Sequence, residues 1–358
     1  MSQDSSVTRR GALRTLGLAG SAALLAPVLA RAQTNGPAPA STVSSPPRDF
    51  SPGHPVTYPD PDIITIDPAF APLRVNNTSI QRLFTGGMWD EGPAWCGQGR
   101  YLVWSDIPND RQLRYIEDDG RVTVFRSPSN NSNGNTFDHQ GRQISCEHRG
   151  RRVVRYEHDG SVTVLADSFN GKRLNSPNDI VCKSDGSIWF TDPNYGIIAD
   201  YEGSRAEQEQ SGCHVYRIDP VSGDVTCVAD DFDHPNGLAF SRDEKQLFIA
   251  DSGFTESAEA PRHIRCLDVD ASGQRLKGSR VFATCTQGIF DGFRIDEHGR
   301  VWASTAAGVN CYASDGRLIG KVHVPEMVAN VAFGGLQRNR LFICGTTSLY
   351  AIYLKING

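Results

Sequence analysis

Residues 178–192 read NDIVCKSDGSIWFTD: a polar residue, a short apolar strand, a turn at Gly186, and a second apolar strand that ends in an acid. The pattern recurs from lead residues Glu91, Asn133, Asn236 and Asp291, and in a weaker copy from Ala329-Asn330. In four of the six copies the lead residue lies eight positions before the turn glycine. Propeller blades repeat about every 40–50 residues. The sequence therefore predicts an all-β, six-bladed β-propeller rather than a β-sandwich or β-helix.

The lead residues are the candidates for a functional site, because the propeller fold would bring them together. In a propeller the inner strands line the central channel, and a hairpin returns its second strand to the mouth where the first began. We expect a ring of oxygen-bearing lead residues at one mouth, with four acids just behind it. The ring is Glu91, Asn133, Asn178, Asn236 and Asp291; the acids are Asp106, Glu147, Asp192 and Asp251. Crowded oxygen donors favour a hard cation such as Ca²⁺, Mg²⁺ or Mn²⁺.

Composition excludes several other classes of protein. The chain has 358 residues, 39% of them hydrophobic, and a formal charge of −5. It is too apolar for a disordered chain and too polar for a membrane bundle. A mildly acidic chain without a Lys/Arg block argues against nucleic acid as a partner. The oligomeric state is left open.

The N-terminus resembles an export signal. Arg9 and Arg10 precede an apolar stretch from Leu16 to Ala30 and a small-x-small cleavage site at Ala30-Arg31-Ala32. We expect residues 1–32 to be a twin-arginine signal peptide, which places the mature protein in the periplasm or outside the cell, without stable membrane insertion. Residues 33–62 are proline-rich and predict a flexible leader, and 63–358 form the propeller.

Three further features bear on the structure. Nine cysteines occur singly without a C-x-x-C pair, which excludes a zinc ribbon and allows one or two disulfides. Residues 63–90 are the candidate for an outer strand that completes the last blade. The polar loop 197–212 follows a strand end at the mouth, so it is either a lid over the site or a solvated connector.

Several motifs together resemble the gluconolactonase/regucalcin family, in particular its bacterial gluconolactonase branch. They are Glu91-Gly92-Pro93, Cys146-Glu147-His148-Arg149, Asn175-Ser176-Pro177-Asn178-Asp179, Trp189-Phe190-Thr191-Asp192-Pro193, Pro235-Asn236-Gly237-Leu238 and Ile249-Ala250-Asp251-Ser252. The resemblance covers about residue 80 to the C-terminus. It implies a six-bladed propeller with one divalent cation on the axis, most often Ca²⁺, with Mg²⁺, Mn²⁺ and Zn²⁺ as alternatives.

The resemblance also implies residue roles and a reaction. Carried over by position, the cation ligands are Glu91, Asn178, Asn236 and Asp251, and Asp251 is also the general base. The candidates for substrate binding are Asn133, Asn135, His148, Asp179 and Asp192. The implied enzyme is a lactonase that hydrolyses glucono-1,5-lactone or a similar aldonolactone. The alternatives are a phosphotriesterase-like hydrolase at the same site and a non-catalytic binding propeller with a structural ion.

Overall fold

The computed structural model describes residues 48–50 and 53–358, which form six antiparallel sheets around one axis. The predicted six-bladed propeller is confirmed. The predicted signal peptide and residues 33–47 of the predicted leader lie outside the described residues. No helix within the described part of the chain is both long and apolar enough to cross a membrane.

Each blade contains an inner strand and further strands that follow it outwards. Blade 1 contains β3 (Asp90–Cys96), β4 (Tyr101–Asp106), β5 (Arg111–Ile116) and β6 (Val122–Arg126). Blade 2 contains β7 (Ser132–Phe137), β8 (Gln143–Glu147), β9 (Arg152–Tyr156) and β10 (Val162–Ala166). Blade 3 contains β13 (Ile180–Cys182), β14 (Ile188–Asp192), β15 (His214–Ile218) and β16 (Val225–Ala229).

The second half of the ring follows the same order. Blade 4 contains β17 (Pro235–Phe240), β18 (Gln246–Asp251), β19 (His263–Val269) and β20 (Leu276–Thr284). Blade 5 contains β21 (Phe293–Ile295), β22 (Val301–Thr305), β23 (Gly308–Tyr312) and β24 (Leu318–Val322), and blade 6 contains β25 (Val328–Gly334), β26 (Arg340–Gly345) and β27 (Ser348–Tyr353). The other elements are β1 (Ile63–Thr65), β2 (Gln81–Thr85), the hairpin β11 (Ser168–Phe169) and β12 (Lys172–Arg173), the short helix α1 (Tyr195–Ile198), and 3₁₀ turns at Pro68–Leu73 and Gly253–Thr255.

An N-terminal strand closes the ring. β2 pairs with β27 and becomes the fourth strand of blade 6, as expected for a strand within residues 63–90. β1 pairs with β24 as a fifth strand of blade 5. Ahead of these strands, Arg48 forms ion pairs with Asp60 and Asp62, and the ring of Phe50 packs 5.4 Å from that of Tyr350.

Apolar side chains fill the spaces between neighbouring blades. Trp104, Trp189 and Trp302, each in the second strand of its blade, are fully buried in these layers. Large aromatic side chains contribute most of the apolar area that such a layer removes from water. All nine cysteines are free thiols in this structure, so it contains none of the one or two disulfides that the sequence allows.

Candidate functional site

The ring of lead residues predicted from the repeat is present. All five line a single cavity of about 240 Å³ at one mouth of the channel. Glu91, Asn133, Asn178 and Asn236 are at most 4% exposed, whereas Asp291 keeps part of its surface accessible. They come from all of the first five blades, so the site exists only when the propeller is closed.

Glycines after the lead residues allow the inner strands to approach one another. Gly134 N–H donates to the carbonyl of Asn178 (2.8 Å), and Gly237 N–H donates to that of Asp291 (3.1 Å). A Cβ atom at Gly134 would lie 2.3 Å from the Asn178 carbonyl oxygen, and one at Gly237 would lie 2.4 Å from that of Asp291. Any larger residue would push the blades apart, so the glycines fix the spacing of the ring.

The amide side chains of the ring present unpaired oxygens. Oδ1 of Asn133, of Asn178 and of Asn236 is buried and has no hydrogen-bond partner. An unsatisfied buried acceptor costs about 1–3 kcal/mol, so each such atom in a folded protein calls for an explanation. Three of them at one cavity fit a hard cation, which takes neutral oxygen ligands readily.

Two carboxyl groups complete the set of oxygen donors. Burial, followed by the charges of Asp291 and Asp179, raises the pKa of Glu91 well above its usual range. Burial, followed by the charges of Glu202 and Asp179, does the same to the pKa of Asp291. Asn330 Nδ2 donates to Glu91 Oε2 at 3.1 Å, and Asn236 donates to Asp291. These amides orient the carboxylates but leave the repulsion between them, which a cation would relieve.

The rest of the cavity lining has no competing positive charge. Neither lysine nor arginine lines the cavity in the part of the chain that is described. Over the same residues, no three His, Cys, Asp or Glu side chains form a group that could hold a metal ion by themselves. A cation at this mouth would therefore depend on the asparagine oxygens as well as on Glu91 and Asp291.

The structure places Asp251, the predicted ligand and general base, outside the lining of the cavity. Its Oδ2 accepts from the backbone N–H of Asp233 (3.1 Å) and its Oδ1 from that of His234 (3.0 Å). Asp251 lies opposite Pro235 at the end of the hairpin, behind Asn236, and it is not among the residues that line the cavity. Both oxygens are used to hold the loop that leads into β17.

Acidic residues at the ends of other second strands also accept hydrogen bonds from backbone N–H groups. This explains why several copies of the repeat end in an acid. Asp106 Oδ1 accepts from Met88 N–H (3.0 Å), and Asp192 Oδ2 accepts from Asn175 N–H (2.8 Å). In each case the acid at the end of the second strand holds the loop that precedes the first strand of the same blade. We therefore interpret these acids as residues that position the lead residues.

The five residues predicted to bind substrate lie at different places in the structure. Of these five, Asn133 alone lines the cavity. Asn135 lines a different cavity, and its Nδ2 donates to the carbonyls of Gly92 and Asn133 and to Ser105, so its predicted role is not supported. Asp179 pairs with Arg294 at 3.3 Å across the channel. Neither it nor Asp192 lines the cavity, and burial raises the pKa of Asp192 to about 7.

His148 does not line the cavity but connects two parts of it. Its Nδ1 lies 3.0 Å from the carbonyl oxygen of Glu202, and its Nε2 lies 3.2 Å from Nδ2 of Asn133. Nδ1 is therefore the donor and Nε2 the acceptor. Because Nε2 accepts from the Asn133 amide nitrogen, Oδ1 of Asn133 is left unpaired.

The segment around α1 covers one side of the mouth. Ser204 N–H donates to the carbonyl of Gly196, and Ala206 N–H donates to that of Ile197, so the loop folds back on the helix. Ile198, Tyr201 and Glu202 from this segment line the cavity. The N-terminal part of the loop 197–212 is thus a wall of the site.

We expect His148→Ala to lower cation affinity by about 10–100-fold, the usual cost of losing a partner that orients a ligand. The Asn133 amide would lose its acceptor, and the Glu202 carbonyl would lose its donor. His148→Gln, whose amide can serve both neighbours, should recover part of this loss. Calorimetric titration with Ca²⁺ measures the affinities, and equal affinity in wild type and His148→Ala would contradict the assigned role.

Fold and site together define a class: closed six-bladed propellers with an oxygen-donor site on the axis. Residues 89–347 match the family model described as the SMP-30/gluconolactonase/LRE-like region. The chain belongs to this family, and the resemblance predicted from its motifs is confirmed.

Individual relatives show the same relationship. A gluconolactonase of Zymomonas mobilis is 28% identical over 307 residues, which cover 79% of this chain and 83% of the relative. A solved gluconolactonase of Xanthomonas campestris is 36% identical and covers 86% of this chain and 98% of its own, with a TM-score of 0.77. A solved regucalcin of Agrobacterium tumefaciens, described as calcium-binding, covers 77% of this chain and 94% of its own at 20% identity and a TM-score of 0.62. At this level of identity, the likeness to regucalcin shows a shared fold and nothing more.

Proposed function

We propose that this protein is a lactonase that hydrolyses a cyclic ester at the axial cavity, with aldonolactones such as glucono-1,5-lactone as the first substrates to test. Family membership and the gluconolactonase relatives support the reaction. The observation that carries the assignment is the set of five oxygen-bearing side chains at one cavity, three of them with unpaired amide oxygens.

A divalent cation, most simply Ca²⁺, is the cofactor that fits this donor set. Glu91, Asn178, Asn236, Asp291 and Asn133 would supply its oxygen donors. Carboxylate and amide oxygens without thiolate or imidazole are ligands suited to a hard ion. When bound, the ion would supply positive charge for the carbonyl oxygen, which becomes negative in the transition state of ester hydrolysis.

Asp291 is the candidate general base in place of Asp251. It lines the cavity, keeps part of its surface accessible, and has a carboxylate oriented by the Asn236 amide. A carboxylate at the cavity can accept the proton of an attacking water, which the neighbouring amide side chains cannot do. Asp291 would take the proton of that water at a carboxylate oxygen, while the Asn133 and Asn178 oxygens would hold the cation.

A pH-stat assay of glucono-1,5-lactone and other lactones tests this function. We expect turnover with Ca²⁺ present, loss of at least about 100-fold in rate after chelation, and recovery on adding the ion back. Turnover of an organophosphate ester but of no lactone would favour a phosphotriesterase-like activity. No turnover of either class, with cation binding intact, would overturn the proposal in favour of a binding propeller.

A further inference from the structure

The carboxyl group of Glu202 lies in the axial cavity without a partner from the described part of the protein. Glu202 lines the cavity together with the ring of lead residues. Burial alone raises the pKa of this carboxyl group to about 7, and no other group among the described residues contributes a hydrogen bond or a charge to that shift. A carboxylate that loses water without gaining hydrogen bonds is costly. A ligand that donates to Glu202 would offset this cost.

The loop around Glu202 is held in one place. His148 Nδ1 donates to the Glu202 carbonyl at 3.0 Å, and Ser204 N–H donates to that of Gly196 at 3.0 Å. A Cβ atom at Gly203 would lie 2.1 Å from the Gly196 carbonyl oxygen, so residue 203 packs directly against α1. These contacts fix the backbone from which the Glu202 side chain starts, as a specific contact with a ligand requires.

The charges around the cavity restrict what Glu202 can bind. After burial, the charge of Glu202 contributes most to raising the pKa of Asp291, so the two carboxyl groups lie near each other. Among the residues that the structure describes, neither lysine nor arginine lines the cavity. A dication held by Glu91 and Asp291 would balance those two carboxylates and leave the charge of Glu202 uncompensated. The cavity of about 240 Å³ is small, so an anionic group of a substrate would lie close to this charge, where salt screens their repulsion little.

Uncharged hydroxyl groups are the donors that fit this place. An ionised carboxylate only accepts, and a hydrogen bond from a hydroxyl group to it is about twice as strong as one between neutral groups. The rings of Trp89, Tyr195 and Tyr201 also line the cavity and offer apolar surface. A neutral polyhydroxy lactone presents C–H groups to such rings and hydroxyl groups to a carboxylate.

We propose, on the basis of lactone hydrolysis as the function of this site, that Glu202 determines substrate specificity. Its carboxylate accepts hydrogen bonds from hydroxyl groups of a neutral sugar lactone and repels lactones that carry a negative charge. The enzyme therefore prefers neutral polyhydroxy lactones to their phosphorylated or carboxylated counterparts.

The test compares three lactones with a six-membered ring: glucono-1,5-lactone, its 6-phosphate and δ-valerolactone. The 6-phosphate adds negative charge to the same sugar, whereas δ-valerolactone has no hydroxyl group. Each kcat/KM is divided by the rate constant of uncatalysed hydrolysis, because the three esters differ in reactivity. With Ca²⁺ present, we expect the normalised value for glucono-1,5-lactone to exceed each of the others by about 100-fold.

Glu202→Gln keeps the size of the side chain and removes its charge. We expect this variant to lower kcat/KM for glucono-1,5-lactone by about tenfold, because neutral hydrogen bonds replace charge-assisted ones. The value for the 6-phosphate should rise by about tenfold, because the repulsion is relieved, and that for δ-valerolactone should not change. Glu207→Gln is the matched control, since Glu207 is exposed, belongs to the same loop and does not line the cavity; it should leave all three values unchanged.

The outcomes separate this inference from the proposed function. Hydrolysis of glucono-1,5-lactone that Glu202→Gln leaves unchanged would overturn the role of Glu202 and leave the lactonase intact, as would equal wild-type values for glucono-1,5-lactone and its 6-phosphate. A 6-phosphate that stays excluded in Glu202→Gln would contradict the repulsion, and an equal fall for all three lactones would contradict a role in specificity. Absence of turnover with all three lactones in the presence of Ca²⁺ would overturn the proposed function itself.

Discussion

Asp291→Asn is expected to lower kcat/KM for lactone hydrolysis by about 10³-fold, because it removes a candidate base and one of two carboxylates that would hold the cation. The asparagine keeps the size of the side chain and can still contact Asn236. Asp291 also lies outside the apolar layers between blades, so the melting temperature of the cation-free protein should not fall. Steady-state kinetics with saturating Ca²⁺, together with calorimetric titration of the ion, measure the effect.

Asp251→Asn provides the matched control, since it makes the same chemical change in the adjacent blade. Its carboxylate accepts two backbone N–H groups, and an amide can replace only one of these acceptors. We expect a loss of about 1–3 kcal/mol in the free energy of unfolding, from an unsatisfied or opposed donor. The loss of kcat/KM should be much smaller than for Asp291→Asn. Loss of turnover with unchanged stability in Asp251→Asn, together with an active Asp291→Asn, would reverse the two roles.

The difference between these aspartates shows what the sequence could predict. Asp291 starts the fifth copy of the repeat, eight positions before Gly299, as Glu91 and Asn178 do before their own turn glycines. Its phase therefore predicted its place in the ring. Transfer by family resemblance selected Asp251, which ends a second strand. The repeat phase is the better guide to which side chains line the cavity, because blade geometry brings residues of equal phase to the same mouth.

Other parts of the site depend on contacts that no local pattern reveals. The wall formed by Ile198 and Tyr201 requires the loop after blade 3 to fold back through the Ser204–Gly196 hydrogen bond. The role of His148 depends on Glu202, which is 54 positions away in sequence. Such long-range pairings arise from tertiary packing, whereas strand alternation and turn glycines are local. The fold and the ring were therefore predictable, whereas the sequence left the loop 197–212 as either a lid or a connector and did not identify its wall residues.

Cation binding should be coupled to proton release, with an affinity that falls steeply on acidification. In the cation-free protein the pKa values of Glu91 and Asp291 are raised by burial and by neighbouring negative charge, so the pair retains protons where ordinary carboxyl groups have lost them. A cation binds the deprotonated form and must displace these protons. If one proton is displaced, the apparent affinity for Ca²⁺ falls by about tenfold for each pH unit below the raised pKa.

The same coupling predicts how stability depends on pH. A carboxyl group whose pKa is higher in the folded than in the unfolded state stabilises the fold at low pH, and this contribution is lost as pH rises through the folded-state pKa. The chelated protein should therefore lose stability with rising pH, and the increase in melting temperature caused by Ca²⁺ should grow. Calorimetry in buffers of different ionisation enthalpy counts the protons released. Asp291→Asn should reduce that count while Asp251→Asn preserves it, and binding that is independent of pH between 5 and 8 would show that the two carboxyl groups do not hold the ion.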